Sequence, residues 1–557
     1  MADLERQRAP VGIVGGGPVG MMLALFLARY GVRSVLFNIE EHTRWHPKGN
    51  THNSRTMEHY RRLGLSAAVR RMGLPHNHPT DVAYFTRYAD WEVARLGMPS
   101  EAERMARVAA SARTDQVPEP IHRANQMYVE AFLYERVKAT PLVVNRFGWR
   151  ATGMTQDDAG VDLDAERAAG GAAERWRFQY LVGCDGAHSL VRRALGIRYA
   201  GFENLRQEFM GGRMIATYLR LPTLIGGVIP PARRAWQYTA INPGNRNVLV
   251  TLDGAGEYLL FTRQPDPSVP ADDEAVRQAV VRTAGVALPV EVLGHRPWTA
   301  GVAVVAERFG ERRVMLAGDS AHLFTPTGGF GFNTGIDDTA NLAWKLWALV
   351  EGWGGPGLLA TYEPERRPIA VRNTTAAREL AIAVGTLPVT EFLEERSPRG
   401  DAARKTLGDY LSSALGEEFA SLGVQLGARY DGSRIVAEDG APPSDDPATY
   451  RPSSVPGGRA PHIWLGAGRG LGDSLFDRLG LGFTLLCLGR TPPDCGALLQ
   501  AARARGIPLE VLHLPDEEAR DLYERDLALI RPDQHVAWRG NTPPSGPDAL
   551  LARVTGA

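Results

Sequence analysis

The sequence predicts an α/β protein of several domains, and three stretches of the chain carry that prediction. Residues Val11 to Gly31 read as a strand, a glycine-rich turn and a helix in succession. Residues 200 to 300 contain short alternating apolar runs, which indicate an antiparallel sheet. Residues 483 to 539 read strand, helix, strand and a closing strand pair, the order of a small α/β domain. A chain of 557 residues is too long to fold around a single hydrophobic core, so roughly two to four domains are expected.

The first stretch matches the pattern G-x-G-x-x-G. Gly15 permits the turn off the strand Val11 to Val14, and Gly17 lets the backbone approach a pyrophosphate with no Cβ in the way. Gly20 lets the following helix, Met21 to Tyr30, lie close to the strand. The N–H groups at the start of that helix can then hold phosphates. A dinucleotide site is predicted over the alternative of a plain glycine-rich turn, because strand and helix flank the motif.

A second strand ends where the ribose of a dinucleotide would be recognised. Ser34 to Phe37 is an apolar run of strand type, and Asn38 and Glu40 follow it about 20 residues past the glycines. Either side chain could take the ribose hydroxyls, so the choice between them stays open. A loop is predicted at His46 to Ser54, and helices at Arg55 to Leu63 and Gln126 to Val137. Between these helices, residues 74 to 120 are expected to pack elsewhere in the fold. A strand is predicted at Phe178 to Cys184, and Asp185-Gly186 follows it directly.

The middle of the chain changes to sheet-type patterning and then returns to α/β character. Arg313 to Ala317 reads as a strand and precedes Gly318-Asp319 and the glycine-rich segment Thr327 to Asn333. Thr334 with Asp337 fits a capping box, so a helix is predicted to begin there. The strands of the antiparallel sheet, which we expect to cover a ligand site, are Met214 to Leu221, Ala235 to Ile241, Asn247 to Leu252 and Tyr258 to Thr262.

The C-terminal part reads as a separate unit after a linker at Glu438 to Pro456, which is rich in Pro, Asp and Gly. A helix is also predicted at Tyr362 to Leu380, before the linker. The elements predicted after the linker are the strands Phe483 to Cys487, Leu509 to Leu512, Ala528 to Arg531 and His535 to Arg539, and the helix Pro493 to Arg505.

Composition narrows the classes of partner. A net charge of zero and a pI near 7.3 predict neither nucleic-acid nor membrane-surface binding. No apolar run is long enough to span a bilayer. Cys184, Cys487 and Cys495 have no C-x-x-C spacing, so neither a disulfide framework nor a thiol redox centre is predicted, and a cytoplasmic location fits best. No metal site is predicted.

Three motifs in this order resemble the flavoprotein aromatic hydroxylases of the para-hydroxybenzoate hydroxylase type. They are Gly15-x-Gly17-x-x-Gly20, Cys184-Asp185-Gly186, and Gly318-Asp319 followed by Pro326-x-Gly328-Gly329-x-Gly331-x-Asn333. The tail Tyr450 to Arg539 is similar to the C-terminal domain of the phenol hydroxylase and polyketide hydroxylase branch, which is thioredoxin-like without a redox cysteine pair. By resemblance, the chain is identified as a class A FAD-dependent aromatic hydroxylase.

The resemblance implies a Rossmann-like FAD-binding domain, an inserted antiparallel-sheet substrate domain and a C-terminal thioredoxin-like domain. The expected boundaries are 1–200 and 301–437 for FAD binding, 201–300 for the substrate domain, 438–456 for the linker and 457–557 for the tail. A homodimer is a further expectation. The residues expected at FAD are Gly15, Gly16, Gly17, Pro18, Val19, Gly20, Asn38, Glu40, Lys48, Gln126, Asp185, Gly186, Gly318, Asp319, Pro326, Gly329, Gly331, Phe332 and Asn333.

Several of these expectations carry a specific role. Gln126 would touch the ribityl or phosphate portion, Asp319 a ribityl hydroxyl, and Asp185-Gly186 would lie near FAD and transiently near the nicotinamide; a plain strand-terminating turn is the alternative for Asp185. The glycines before the predicted helix allow a flat ring against the backbone, and the helix N-terminus would stabilise the negative charge of reduced flavin. Asn38 stands where the family usually has Glu, and Lys48 where Arg is common.

Candidates for proton transfer and substrate contact are fewer. A carboxylate that helps polarise the phenol in related enzymes lies near Asn50, so proton removal would fall to His52, to water or to the substrate itself. A solvated loop histidine is the alternative for His52, and His322 is expected to be structural, satisfying backbone groups. The aromatic residues that either line a substrate pocket or serve the core are Trp236, Tyr238, Trp298, Phe330 and Phe332.

The function implied is an FAD-dependent monooxygenase. NADH or NADPH, as a transient co-substrate, would reduce FAD, and O2 would add at flavin C4a to form a hydroperoxide that hydroxylates a phenolic or polyketide-type aromatic ring. The alternatives are a Baeyer–Villiger or epoxidising tailoring enzyme and, third, an NAD(P)-dependent dehydrogenase or a non-catalytic dinucleotide-binding protein. Neither the substrate nor the nicotinamide preference follows from the sequence.

Overall fold

The computed structural model describes residues 6–202, 212–263, 272–300, 302–385, 387–414, 420–466 and 473–557. Two parts of the expected substrate domain, 203–211 and 264–271, lie outside the described residues.

The strands are β1 Arg6–Val14, β2 Ser34–Asn38, β3 Thr51–His52, β4 Val82–Phe85, β5 Glu92–Leu96, β6 His122–Arg123, β7 Val143–Phe147, β8 Trp149–Gln156, β9 Val161–Arg167, β10 Ala173–Gly183, β11 Tyr199–Phe202, β12 Gly212–Arg220, β13 Gln237–Asn242, β14 Asn245–Thr251, β15 Glu257–Arg263, β16 Glu291–Ala300, β17 Ala303–Ala306, β18 Gly310–Glu311, β19 Val314–Leu316, β20 His322–Leu323, β21 Trp464–Leu465, β22 Asp473–Ser474, β23 Phe483–Leu488, β24 Leu509–Leu514, β25 Leu527–Ile530 and β26 Val536–Gly540.

The helices are α1 Pro18–Arg29, α2 Ser54–Arg62, α3 Ser66–Val69, α4 Glu101–Ala110, α5 Gln126–Lys138, α6 Leu190–Ala194, α7 Asp273–Ala284, α8 Phe330–Val350, α9 Tyr362–Gly385, α10 Pro398–Ala414, α11 Leu422–Leu426, α12 Leu475–Arg478, α13 Gly496–Ala504, α14 Glu517–Tyr523 and α15 Pro547–Thr555.

The first sheet is the dinucleotide-binding sheet that the glycine motif predicts. Six of its eight strands lie in the order β18-β19-β10-β1-β2-β7, and β1 is parallel to both β2 and β10. The other two, β8 and β9, pair antiparallel with each other, and β9 pairs antiparallel with β10. Helix α1 packs on α8 over this sheet, with Met21, Leu23 and Phe26 fully buried. The carboxyl ends of β1, β10 and β19 therefore meet at one edge, where Gly15, Asp185 and Gly318 follow directly.

The second sheet has seven strands in the order β16-β12-β15-β14-β13-β4-β5. The pairings from β16 to β13 are antiparallel, as the alternation predicts, whereas β4 joins β13 in parallel. The 74–120 excursion thus adds two strands to this sheet. Helix α7 packs with one face of the sheet, through Val280 and Ala284, while α5 and α10 pack with the other.

The tail folds into a four-stranded sheet with flanking helices. The order is β24-β23-β25-β26, with β23 parallel to β24 and antiparallel to β25. This β-α-β-α-β-β-α sequence is the thioredoxin-like topology that was expected. Cys487 and Cys495 are buried free thiols. The segment 438–456 has neither helix nor strand, yet Asp439 pairs with Arg539 at 2.7 Å and Val455 is buried, which fixes the segment against the tail.

The predicted start of the helix that follows the glycine-rich segment is wrong. Helix α8 begins at Phe330 rather than at Thr334, because Gly328 and Gly329 adopt positive φ angles of 72° and 65° and turn the chain directly into the helix. The side chain of Asp337 is therefore not part of a capping box. It accepts hydrogen bonds from Arg366 and His59 instead.

No helix among the described residues is long and apolar enough to cross a membrane. Within the same ranges no group of three or more histidine, cysteine or acidic side chains is arranged to hold a metal ion.

Candidate functional site

The glycine-rich turn is packed on its protein side and open on the other. A Cβ at Gly20 would lie 1.9 Å from the carbonyl oxygen of Gly15, and a Cβ at Gly15 would lie 2.2 Å from that of Cys184. A Cβ at Gly17, in contrast, would meet no atom within 4 Å. Pro18 has no N–H, and no described side chain caps the first turn of α1. The remaining N–H groups of that turn therefore face an open groove, as pyrophosphate binding requires.

The two candidates for ribose recognition occupy different environments. The Asn38 side-chain oxygen accepts a hydrogen bond from the Gly16 N–H at 3.1 Å, and its amide donates to the Glu40 carbonyl at 3.0 Å. Glu40 itself is exposed. Asn38 therefore braces the glycine turn directly, which a carboxylate at the same position could also do, while the Glu40 carboxylate is left to solvent or a ligand.

Lys48, Gln126 and Asp319 approach one another beside the groove. The Lys48 ammonium lies 3.8 Å from the Asp319 carboxylate, and both side chains are about half exposed, at 53% and 44%. The Gln126 N–H donates to the Gly49 carbonyl at 2.7 Å, and its side chain donates to Glu130. Burial raises the pKa of Glu130. The structure thus brings these three predicted residues together, with Lys48 and Asp319 available to a ligand.

Asp185 is engaged in capping a helix. Its carboxylate accepts from the Ser189 hydroxyl at 2.5 Å and from the Leu190 and Val191 N–H groups at 2.7 and 3.2 Å, at the start of α6. Gly186 follows with φ of 79° and open space around it. The carboxylate is thus partnered within the protein, and Gly186 leaves room for a ligand at the same edge of the sheet.

The loop before α8 forms the far wall of the groove. Asn333 is 3% exposed, donates to the carbonyls of Thr51 and Gly329 at 3.0 and 2.6 Å, and accepts from the Asn53 N–H at 2.9 Å. Asn333 therefore ties the start of α8 to β3. Gly329 closes the turn by donating to Pro326, and a Cβ on Gly331 would lie 3.2 Å from the Phe324 ring. No described side chain caps the first turn of α8.

His52 is buried rather than solvated. It is 1% exposed, its Nδ1 lies 3.3 Å from the Tyr60 hydroxyl, and the Phe332 ring meets it edge-on at 5.1 Å. Burial and the neighbouring His122 lower the pKa of His52 to about 3. The imidazole is therefore neutral at physiological pH and a weak proton acceptor. Asn50 accepts from the Asn125 amide at 2.7 Å and does not project freely.

The predicted aromatic residues do not form one pocket. Trp236 is buried, and the Arg123 guanidinium lies 3.9 Å from its ring centroid. Tyr238 lies on the α7 face of the sheet, where its hydroxyl accepts from the Ala235 N–H at 2.7 Å. Phe330 is buried in a separate apolar cluster with Ala377 and Val424. His322 is structural, as expected, but its partner is the Asp338 carboxylate at 2.7 Å rather than a backbone group.

Trp298 belongs to an aromatic cluster that sequence reasoning largely missed. The cluster lies on the face of the seven-stranded sheet that packs against α5. Trp298 and Phe261 meet at 4.8 Å between ring centroids, and Tyr218 meets the exposed Trp45 at 6.5 Å. Tyr128 of α5 adds to the cluster. Alternation predicted the strands that carry Tyr218 and Phe261, but only the register shows that their rings share a face with that of Trp298.

The groove fits an FAD molecule on its own geometry. The open space at Gly17, the uncapped starts of α1 and α8, and the exposed Asp319 supply donors for phosphates, donors for the edge of a flat ring and an acceptor for hydroxyls.

Comparison with known proteins agrees with this reading. The FAD binding domain family matches residues 8–377, and the family described as aromatic-ring hydroxylase, C-terminal, matches residues 453–557. An FAD-dependent monooxygenase of Emericella nidulans, apdD, is 32% identical, over 98% of this chain and 90% of its own. Phenol 2-monooxygenase of a Pseudomonas species is 29% identical, over 97% and 91%.

A solved structure extends the similarity to the whole fold. The rebeccamycin biosynthetic enzyme RebC with reduced flavin superposes with a TM-score of 0.88 at 34% identity, covering 99% of this chain and 100% of that one. The chain therefore belongs to the class A FAD-dependent aromatic-ring hydroxylases, in the branch of phenol and polyketide hydroxylases.

Proposed function

We propose that this FAD-dependent monooxygenase hydroxylates a flat, multi-ring phenolic substrate rather than a single-ring phenol. The observation that carries the proposal is the aromatic cluster Trp45, Tyr128, Tyr218, Phe261 and Trp298, whose members are all at least partly exposed although four of them belong to a core face. Partly exposed aromatic rings grouped on one sheet face offer stacking surface to a planar ligand.

The register supports an extended surface. Trp298 lies opposite Met214 on β12, Phe261 lies opposite Ala216, and Tyr218 follows two residues along the same face. Ala216 is small, which lets the Trp298 and Phe261 rings meet across it. The surface therefore spans three strands, at about 4.8 Å per strand spacing, and continues along β12 toward the exposed Trp45. Such a surface exceeds one phenol ring.

Residue roles at the cofactor follow from the groove. Gly17 and the start of α1 would hold the FAD pyrophosphate, Lys48 and Asp319 would flank the ribityl chain, and the start of α8 would face the pyrimidine edge of the flavin. When bound and reduced by NAD(P)H, FAD supplies the oxygen-activating chemistry. The protein would orient the substrate ring and exclude water here, since the buried, neutral His52 and the partly buried Phe332 ring contact each other at the start of α8.

Neither of the two predicted residues, His52 and Asn50, is suited to remove the phenolic proton as a base. The low pKa of His52 leaves its imidazole a weak acceptor, and Asn50 has no basic group. Water or the substrate's own ionisation would therefore serve. Arg123, buried 3.9 Å from the Trp236 ring and bonded to the Thr51 hydroxyl, adds positive charge beside this part of the site.

Substrate-stimulated NAD(P)H oxidation tests the proposal. Purified FAD-loaded protein is incubated with single-ring phenols and with flat tricyclic or tetracyclic phenols, and peroxide release is measured to separate coupled hydroxylation from uncoupled turnover. We expect coupled turnover with the multi-ring compounds. Product ring connectivity by NMR distinguishes hydroxylation from Baeyer–Villiger oxidation or epoxidation.

Two variants on one strand provide a matched comparison. Phe261→Leu removes a ring from the aromatic cluster and should raise the KM for a multi-ring substrate roughly tenfold. Tyr258→Phe, on the opposite face of β15, should leave the KM unchanged. Coupled turnover confined to single-ring phenols, or equal KM values for both variants, would contradict the proposal.

Cytoplasmic location, homodimer formation and the domain boundaries stay predictions. The three free cysteines support a reducing compartment, and light scattering of the purified holoenzyme would measure the oligomeric state.

A further inference from the structure

We infer that Asp338, a buried carboxylate in the third turn of α8, is a positioning residue for FAD, which acts by holding the Gly318-Asp319 turn in place. The inference uses the FAD site and is independent of the substrate proposed above. Asp338 does not touch the groove, and it belongs to none of the three motifs that identify the family. Its carboxylate joins two groups of the segment 318–322 to Arg366 of α9.

One carboxylate oxygen holds the turn itself. Asp338 Oδ2 accepts from the Gly318 N–H at 3.1 Å and from His322 Nε2 at 2.7 Å, so both ends of the segment 318–322 are tied to one atom. The side chains of Asp338 and His322 are both fully buried. Since a carboxylate only accepts, His322 must carry its proton on Nε2 for this bond to form.

The other carboxylate oxygen is held by a charge. Arg366 of α9 donates through Nε to Asp338 Oδ1 at 2.9 Å, and its side chain is also fully buried. The same guanidinium donates to the neighbouring Asp337 and to the Thr334 carbonyl. Arg366 therefore orients the Asp338 carboxylate, so that Oδ2 faces the turn.

The rest of the turn is braced from the opposite side. The Ser320 hydroxyl donates to the Gly183 carbonyl at 2.6 Å, and the Tyr199 hydroxyl donates to the Asp319 carbonyl at 2.5 Å. The Asp319 side chain is the group that projects, 44% exposed and 3.8 Å from Lys48. With its backbone fixed at Gly318, Ser320 and His322, the Asp319 carboxylate is preorganised for a ligand hydroxyl.

Gly318 is the residue of the turn with the greatest backbone freedom. Its φ is 64°, and a Cβ there would lie 2.9 Å from Val19 of α1, so only glycine fits between the turn and the helix. Glycine also has the most conformational freedom to lose. The Asp338 bond to the Gly318 N–H restricts that freedom at the residue before Asp319.

The test compares Asp338→Asn with Asp337→Asn in the full-length chain. Both variants keep side-chain shape, and each removes one carboxylate from Arg366. In Asp338→Asn the amide oxygen will face Arg366, so the NH2 group points at the Gly318 N–H, where a donor meets a donor, and His322 has to move its proton to Nδ1 to accept from the same NH2 group. Asp337 bonds His59 and Arg55 but no group of the Gly318 turn, which makes it the matched control.

We expect Asp338→Asn to raise the dissociation constant for FAD roughly ten- to hundredfold, measured by flavin fluorescence quenching with FAD-free protein. Asp337→Asn should change it less than threefold while lowering the unfolding midpoint comparably. Equal FAD affinities for both variants and the parent chain, or equal losses in both, would overturn the inference.

Hydrogen exchange in the parent chain keeps the inference testable even where Asp338→Asn does not fold. A turn positioned by Asp338 is already ordered before FAD binds. The peptide that spans residues 314–322 should therefore exchange equally slowly in FAD-free and FAD-loaded protein. Protection that arises only on adding FAD would show that the cofactor, and not Asp338, orders the turn.

Discussion

Gly17 and Gly20 lie three residues apart in one motif but meet different physical demands. A Cβ at Gly20 would lie 1.9 Å from the Gly15 carbonyl oxygen, whereas a Cβ at Gly17 would meet no atom within 4 Å. Gly17 also has an ordinary φ of −71°. Gly20 is therefore required by the fold, and Gly17 by what binds next to it.

Gly17→Ala and Gly20→Ala should consequently separate folding from cofactor binding. We expect Gly17→Ala to keep its thermal midpoint within about 2 °C while weakening FAD affinity at least tenfold, because the new methyl group occupies the pyrophosphate path. Gly20→Ala should lower the midpoint or prevent folding. Both quantities follow from a thermal scan and an FAD titration; an unchanged FAD affinity in Gly17→Ala would place the pyrophosphate elsewhere.

The residues that could be predicted from the sequence are those whose role is steric. The glycines of the first motif have spacings that only a strand, turn and helix explain, so their positions were predictable. Asp338 and Arg123 were not, because a single polar residue in a helix or in a two-residue strand leaves no periodic signal. The predicted helix start at Thr334 is wrong for a related reason. A capping-box pattern is local, and the left-handed conformation of Gly329 starts the helix one turn earlier.

Helix α2 is the element that joins the cofactor groove to the C-terminal domain. Its N-cap, Asn53, is bonded to Asn333 at the groove. One turn later Glu58 forms a fully buried ion pair with Arg459 at 2.5 Å, and Arg55 donates to Gln534 and to the Asp533 carbonyl at 3.0 and 2.8 Å. Although burial alone would raise it, the charges of Arg459 and Arg55 lower the pKa of Glu58.

Breaking this pair from one side should be costly. Glu58→Gln leaves Arg459 buried without its charge partner, and we expect about 3–5 kcal/mol less free energy of unfolding, seen as a lower urea midpoint. The double variant Glu58→Gln, Arg459→Met should lose less than the sum of the two single variants, because it removes both charges. Additive losses would show that the two charges act independently.

Apolar periodicity predicted helix α1, the strands β1, β2 and β10 and every strand of the tail's sheet, but not the strands β7 to β9 or the helices α4 and α7. The partners of the elements were less predictable. Strands β4 and β5 come from a polar excursion with weak periodicity, and they reach the seven-stranded sheet through a parallel pairing with β13 that alternation alone does not specify. Parallel pairing is a long-range choice, which depends on the fold of the segments between the strands.

At the scale of the whole molecule, buried histidines set the acid limit of stability. His52, His462 and His535 are each at most 1% exposed, and burial lowers the pKa of His462 and His535 to about 4. These histidines contact α2, the 111–120 segment and the C-terminal domain. Their protonation would therefore act on the contacts between domains rather than on one domain alone.

The lowered pKa values determine whether stability rises or falls with pH. In the unfolded chain these histidines bind a proton below about pH 6.5, while in the folded chain they resist it until about pH 4, so unfolding takes up protons in that window. Stability should be full above pH 6.5 and fall as the pH drops toward 4, by about 2 kcal/mol per such histidine at pH 5.

Urea midpoints measured at pH 8 and pH 5 check this expectation. His535→Gln should reduce the difference between the two midpoints, since it removes one of the titrating groups. His188, which is exposed, provides the control, and His188→Gln should leave the difference unchanged. A pH 5 midpoint equal to that at pH 8 would mean that the unfolded chain gains no extra protons.

The overall architecture was predictable because three motifs and a tail signature resemble one family in one order. The packing between domains was not, because it depends on buried charges such as Arg531, which bonds Glu365 and Asp533 with no exposure of its side chain. Arginine side chains normally lie at the protein surface, and only the folded chain shows which of them are buried.

The ion pair of Lys48 with Asp319 has a chemical consequence of its own. The chain has four lysines, of which Lys345 is completely buried, while Lys48, Lys138 and Lys405 are exposed. Few side chains can therefore react with an amine-selective reagent, and one of them stands at the rim of the cofactor groove. A fluorophore or cross-linker attached at Lys48 would report directly on that groove, without any engineered cysteine.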